Sequence, residues 1–115
     1  MKMITAIIRP DRFEAVQQAL AKVEVYLMTV YDVRGCGRQR GFPEQFRGSL
    51  EGMIRLLPKV KLEIAVNDNF VDATVQAIMG AAHSGNIGDG KIFVSPLDEC
   101  YRIRTRESGS AAIGP

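Results

Sequence analysis

Val60, Leu62, Ile64 and Val66 alternate with Lys59, Lys61, Glu63 and Ala65, a strict period of two. Only an extended strand places such residues on opposite sides, so this segment predicts a strand with two different environments on its faces. The neighbouring segments follow the same grammar. Met3 to Arg9 is an apolar, β-branched run stopped by Pro10, and it predicts an opening strand. Asp11 is placed to cap a helix, with Glu14 completing a capping box. Phe13, Val16, Leu20 and Val23 then recur at helical spacing and form one apolar stripe. Leu27 to Val33 is a second extended run, closed by Gly35.

The second half repeats the plan. After the alternating strand, Asp68 or Asn69 can cap a helix in which Val71, Val75, Ile78 and Ala82 make the stripe, with Gly85 as its stop. A turn-rich stretch, Gly85 to Gly90, leads to a last strand over Lys91 to Val94. Two strand-helix-strand units in series give an α+β, ferredoxin-like βαββαβ sandwich, a sheet covered on one side by two helices. The other sheet face lacks a helix, and this predicts oligomerisation. A monomer with a polar outer face is the alternative.

At 115 residues the chain suits one domain, residues 1–115, and its length favours a cleft or subunit boundary over an enclosed chamber. Fifteen basic residues stand against thirteen acidic ones, a net charge of +2, too balanced for wrapping nucleic acid. Met1 to Pro10 is too short for a membrane span or a signal peptide, so a cytoplasmic location is expected. Cys36, Cys100 and the lone His83 encode neither a disulfide framework nor a zinc site.

The connection over about residues 36–57 is long for so small a domain, and such segments are usually functional. It carries Arg38, Arg40, Arg47 and Arg55 against Glu44 and Glu51. Met53, Ile54, Leu56 and Leu57 suit either a partner contact or the start of the next structured segment. Residues 106–115 form a C-terminal tail.

Three segments suit anions. Ile87-Gly88-Asp89-Gly90-Lys91 sets backbone N–H groups and a lysine at the mouth of a strand, although a plain tight turn would look the same. It is not a phosphate-binding loop of the GxxxxGK[ST] kind. Arg102 and Arg104, two apart, share one face if Tyr101 to Thr105 is extended, as paired phosphate ligands or as a charged strand edge. Gly35-Cys36-Gly37-Arg38-Gln39-Arg40-Gly41 bends sharply enough to present backbone groups, and Gln39 offers an oxygen to a hard cation such as magnesium. Catalysis finds little support. Asp68, Asp72 and Asp89 make no acid-base spacing, His83 reads as a surface histidine, and Ser84, Cys36 and Cys100 have no activating partner in sequence.

Taken in order, GxGRQ, LPKVKLE, GxIGDGKIFV and RIRT resemble the PII nitrogen-regulatory family, with the likeness running from Met1 to about Ile113. The resemblance implies a homotrimer of ferredoxin-like subunits whose sheets face inward, with ATP or ADP in three clefts between subunits. Lys91, Arg102 and Arg104 match the phosphate-holding residues, Gly88, Asp89 and Gly90 the phosphate-facing turn, and Arg38 the residue reaching from the loop base. Thr29, Gly35, Gly37, Glu63 and Ser84 fall at pocket-lining positions, Ser84 replacing a threonine, and Ile7 near the adenine. Gln39 matches the residue that helps bind Mg2+ beside 2-oxoglutarate, and Lys59 the one that pairs with its carboxylate.

The implied function is non-catalytic sensing of adenine nucleotides, with an ammonium transporter or a nitrogen-assimilation enzyme as partner, the former bringing the protein to the membrane periphery. The loop departs from the family: Phe46 and Ser49-Leu50-Glu51-Gly52 leave no tyrosine for nucleotidylation, while Ser49 keeps a hydroxyl for phosphorylation. Cys36 stands for an aromatic and Asn86 for a lysine, which suggests a paralogue with its own target. Three alternatives remain open: a paralogue that senses adenine nucleotides but not 2-oxoglutarate, a small enzyme, and an RNA-binding module. The last lacks clustered aromatics for base stacking.

Overall fold

The computed structural model describes residues 1–36 and 55–114. Four strands, β1 (Lys2–Ile8), β2 (Thr29–Gly35), β3 (Leu57–Val66) and β4 (Gly90–Pro96), form one antiparallel sheet in the order β2-β3-β1-β4. Helices α1 (Phe13–Lys22) and α2 (Val71–Ala82) pack against each other beneath it. The predicted ferredoxin-like plan is therefore the observed one.

Alternation decides the layers. Ile4, Ala6 and Ile8 of β1 and Val60, Leu62, Ile64 and Val66 of β3 are buried against Val16 and Leu20 of α1 and Ile78 of α2. Antiparallel pairing keeps opposed residues on the same face. Tyr31, Lys61, Ile7 and Lys91 thus make one row across the open face, and Thr29, Glu63, Thr5 and Phe93 the next. Among the described residues no helix covers these rows.

The helix starts differ from expectation. A 3-10 turn over Pro10–Arg12 precedes α1, whose N-cap is Arg12 with no side-chain cap bond. Asp11 instead pairs with Arg9, Nε to Oδ1 at 3.2 Å, so the capping box does not form. Another 3-10 turn, Asp68–Phe70, precedes α2, and Asp68 accepts a 2.7 Å bond from the amino group of Met1 rather than capping. In both places the first turn is tighter than an α-helix, which moves the acidic residue away from the N–H groups it would cap. Helix α2 ends at Ala82, ahead of Gly85, with His83 as C-cap.

Thr74 was not expected in the stripe of α2, yet it is fully buried, while Val71 and Val75 are only partly so. Its hydroxyl donates to the Phe70 carbonyl at 2.7 Å, which satisfies the polar group inside the core. The tail is not loose: Ser110–Ile113 forms a short helix, α3, with Ala112 and Ile113 buried. Asn67 Nδ2 donates to the carbonyls of Ser110 and Gly114 at 3.2 and 3.1 Å and ties this end to the loop before α2.

Candidate functional site

The register brings four chain segments to one end of the sheet. Ile8 faces Val60 and Gly90, and Gly35 faces Leu57, so the ends of β1 and β2 meet the beginnings of β3 and β4. A cavity of about 450 Å³ lies there, and Ile7, Gly35, Lys59, Gly88, Gly90 and Lys91 all line it. These six were singled out in sequence. Cys36, Leu57, Ile87 and Phe93 also line it, so among the described residues apolar walls carry two ammonium groups.

Backbone shape admits this arrangement only with glycine at two positions. Gly90 has φ +103°, and a Cβ there would lie 1.7 Å from the Ile7 carbonyl oxygen. Close approach of β4 to β1, and hence the place of Lys91, depends on the missing side chain. Gly88 has φ +104°, and a Cβ on it would sit 3.6 Å from Lys59 Nζ. That ammonium donates a 2.9 Å hydrogen bond to the Gly88 carbonyl. Among the described residues no hydrogen bond or ion pair engages the Lys91 ammonium.

Asp89 and Ser84 turn toward one another. The Asp89 carboxylate accepts bonds from the N–H groups of Ser84 and Gly85, at 2.7 and 3.0 Å, and a short one from the Ser84 hydroxyl. Hydrogen bonding from the Ser84 hydroxyl, then from the backbone, lowers its pKa to about 2, with burial opposing and His83 adding a small favourable charge. His83 Nδ1 lies 3.9 Å away. The pair clamps the end of α2 to the turn, and neither residue lines the cavity.

Arg102 and Arg104 are not on a strand. Tyr101 pairs only with Ser108, as an isolated bridge, and the chain between them makes a turn in which Arg106 N donates to the Arg102 carbonyl at 2.8 Å. The period-two argument for their convergence therefore fails, because a turn does not alternate its side chains. The Arg102 guanidinium reaches Glu107 Oε1 at 3.3 Å and the carbonyls of Ala111 and Ala112 at 3.3 and 3.2 Å. Cations at a helix C-terminus satisfy its unpaired carbonyls in this way. Neither arginine lines the cavity of the same chain.

Thr29 and Glu63 face each other on the open face but also stand outside that cavity. Glu63 has partners that spacing did not reveal. Lys61 Nζ lies 3.4 Å from its Oε1 and 5.2 Å from the centroid of the Tyr31 ring. A hydrogen bond to Glu63, reinforced by its charge, raises the Tyr31 pKa. The signal was present as neighbouring rows of an antiparallel pair, legible only once the register is known. Gly37, Arg38 and Gln39 lie outside the described residues, as do Phe46, Ser49, Gly52, Met53 and Ile54.

A second cavity of about 370 Å³ adjoins the first, with Arg9, Pro10 and Pro58 on its far side and Lys59 and Gly88 shared. Among the described residues no group of three or more His, Cys, Asp or Glu is placed to hold a metal ion. No helix among them is long and apolar enough to cross a membrane.

Comparison with known proteins agrees with the fold and the ordered motifs. The family described as nitrogen regulatory protein P-II matches residues 1–107. Nitrogen regulatory protein P-II 2 of Methanothermobacter thermautotrophicus is 53% identical over 113 residues, covering 98% of this chain and 97% of the relative. Nitrogen regulatory protein P-II of Azospirillum brasilense and P-II 1 of Escherichia coli K12 are 48% and 50% identical, each over 98% of this chain and 100% of the relative. With the family pattern matched over residues 1–107 and about half of all positions shared with relatives along their whole length, this chain belongs to the nitrogen regulatory protein P-II family.

Proposed function

We propose that the chain is an allosteric sensor of adenine nucleotides that works as a homotrimer and signals through the segment between β2 and β3. Family membership supports a non-catalytic regulatory signalling role. The observation that carries the finer reading is the cavity where Lys59 and Lys91 stand over the backbone of Gly88 and Gly90 against the apolar Ile7. Two ammonium groups beside a glycine backbone suit a polyphosphate, and the apolar wall suits a base.

One chain supplies only part of such a site. Thr29, Glu63, Arg102 and Arg104 stand outside the cavity of their own chain, which supports a cleft completed by an adjoining subunit. The open face favours the same assembly. Phe93 and Tyr31 remain 53% and 40% exposed on the open face of the two edge strands, β4 and β2, where a trimer would cover them.

In this reading ATP or ADP is held at Lys91 and the Gly88–Gly90 backbone, and 2-oxoglutarate is held at Lys59. A doubly negative acid beside a polyphosphate needs a cation between them. Mg2+ would supply that bridge, with Gln39 as the proposed protein ligand. Acid binding then depends on ATP, each ligand strengthens the other, and the loop base reports the outcome to a transporter or enzyme of nitrogen metabolism. The chain would act in the cytoplasm and at the membrane surface through such a transporter. A second reading, sensing of nucleotides without the acid, draws on one contact: the Lys59 ammonium already has an acceptor in Gly88.

Calorimetry with ATP, ADP and AMP, repeated with 2-oxoglutarate with and without magnesium, tests both. Binding of the acid only with ATP and magnesium supports the first reading; nucleotide binding with no acid response supports the second. No nucleotide binding at all overturns both. Light scattering should give the mass of three chains, and a monomer would remove the intersubunit cleft.

A further inference from the structure

Lys59 lines two cavities at once, one with Lys91 and Gly35 and one with Arg9 and Pro58, and Gly88 lines both with it. The bond from Lys59 Nζ to the Gly88 carbonyl joins them at the boundary. It ties β3 to a turn twenty-nine residues away and is partly buried. A charged donor makes it stronger than an ordinary neutral hydrogen bond. Among the described residues the Gly88 turn has one other side-chain fastening, the Asp89 clamp on Ser84 and Gly85, which holds the opposite end.

We propose that the Lys59–Gly88 bond is an internal latch: a carboxylate effector takes the Lys59 ammonium from the Gly88 carbonyl, and this exchange releases the turn that leads into Lys91. The proposal rests on the reading that Lys59 receives a small acid. It adds a route for coupling. The acid acts on the polyphosphate site through the turn within one chain, besides the direct charge between the ligands. Because the carboxylate must replace a bond already made, its affinity is reduced by the stability of the latch.

Amide hydrogen exchange of Ser84, Gly85 and Asn86, whose N–H groups bond to Asp89 and Ser84 within the same turn, reads without added ligand whether losing the latch loosens that turn. Lys59→Met should accelerate exchange at these amides about tenfold or more, the effect of losing one charge-assisted bond that holds a local opening equilibrium. Lys61→Met, on the same face but away from the turn, should leave them unchanged. Lys59→Gln keeps a donor without the charge and should give an intermediate acceleration; it also serves if the methionine variant does not fold. In the wild-type protein with ATP and magnesium, 2-oxoglutarate should move the Gly88 carbonyl carbon resonance in the direction that Lys59→Met moves it. Unchanged exchange in both Lys59 variants overturns the latch. Acid that binds by calorimetry without moving that resonance overturns the exchange step. Failure of any acid to bind overturns both the exchange step and the oxoglutarate reading, while the Lys59 variants still decide whether the bond holds the turn.

Discussion

The two faces of the sheet use the same strands for opposite purposes. On the helix side, Leu62, Ile4 and Ala6 have no exposed surface and pack on α1 and α2. On the other side the intervening residues Lys61, Glu63 and Thr5 carry polar groups, and the cavity opens where that face meets the turn before β4. A single strand therefore contributes core and site in alternate positions. Changes on the first face should act on stability, and changes on the second on recognition, except where backbone contact joins them.

Gly90→Ala is the exception and should have the largest effect. Its Cβ would collide with the Ile7 carbonyl at a positive φ, so a loss of about 4 kcal/mol or more is expected. Denaturant unfolding checks this, and a change within about 1 kcal/mol would show that β4 can move away from β1 at little cost. Leu62→Ala, in the middle of the helix face, should cost about 3 kcal/mol in the same measurement through lost burial and a residual cavity.

Lys91→Ala should leave unfolding nearly unchanged and weaken ATP binding about ten- to hundredfold, the loss of one charge-assisted contact. Reduced stability with intact ATP affinity would place Lys91 with the core instead. Asp89 gives a smaller effect with a definite pH dependence. Its folded pKa of about 2 lies below the ordinary value of 3.8, so the folded state binds fewer protons in that interval. The stabilisation is complete above about pH 4 and disappears as pH falls toward 2. Melting temperatures of wild type and Asp89→Asn should thus converge on acidification across this window; a constant gap would mean that the carboxylate charge is not what clamps Ser84 and Gly85. Lys61→Ala, half-exposed beside Glu63, should shift stability by no more than about 0.5 kcal/mol. A larger loss would mean that the open face carries packing of its own.

Much of this was legible in the residues. The alternation from Lys59 to Val66 predicted which side of β3 is buried, and Val16 and Leu20 of the α1 stripe are fully enclosed. Ile7, Gly35, Lys59, Gly88, Gly90 and Lys91, each singled out by its residue type or motif, line one cavity. Where spacing misled, a tighter local shape had won. The 3-10 turns before both helices displaced the acidic caps, and the turn after Tyr101 separated Arg102 from the alternation that would have paired it with Arg104.

The order of apolar and polar residues by itself determined the two-layer plan, since a period of two or of three and a half leaves one face that must leave water whatever the neighbours are. It also determined that glycines flank Asp89 at the mouth of β4. Tertiary structure alone decided which partner each polar group takes: Lys59 with Gly88, Asp89 with Ser84, Arg102 with the end of α3, Glu63 with Lys61 and Tyr31. Burial depends on surface summed over many residues and survives small errors of position. A hydrogen bond is made or lost within a few tenths of an ångström and a few tens of degrees, so strand register and turn conformation must be in place before its partner is determined.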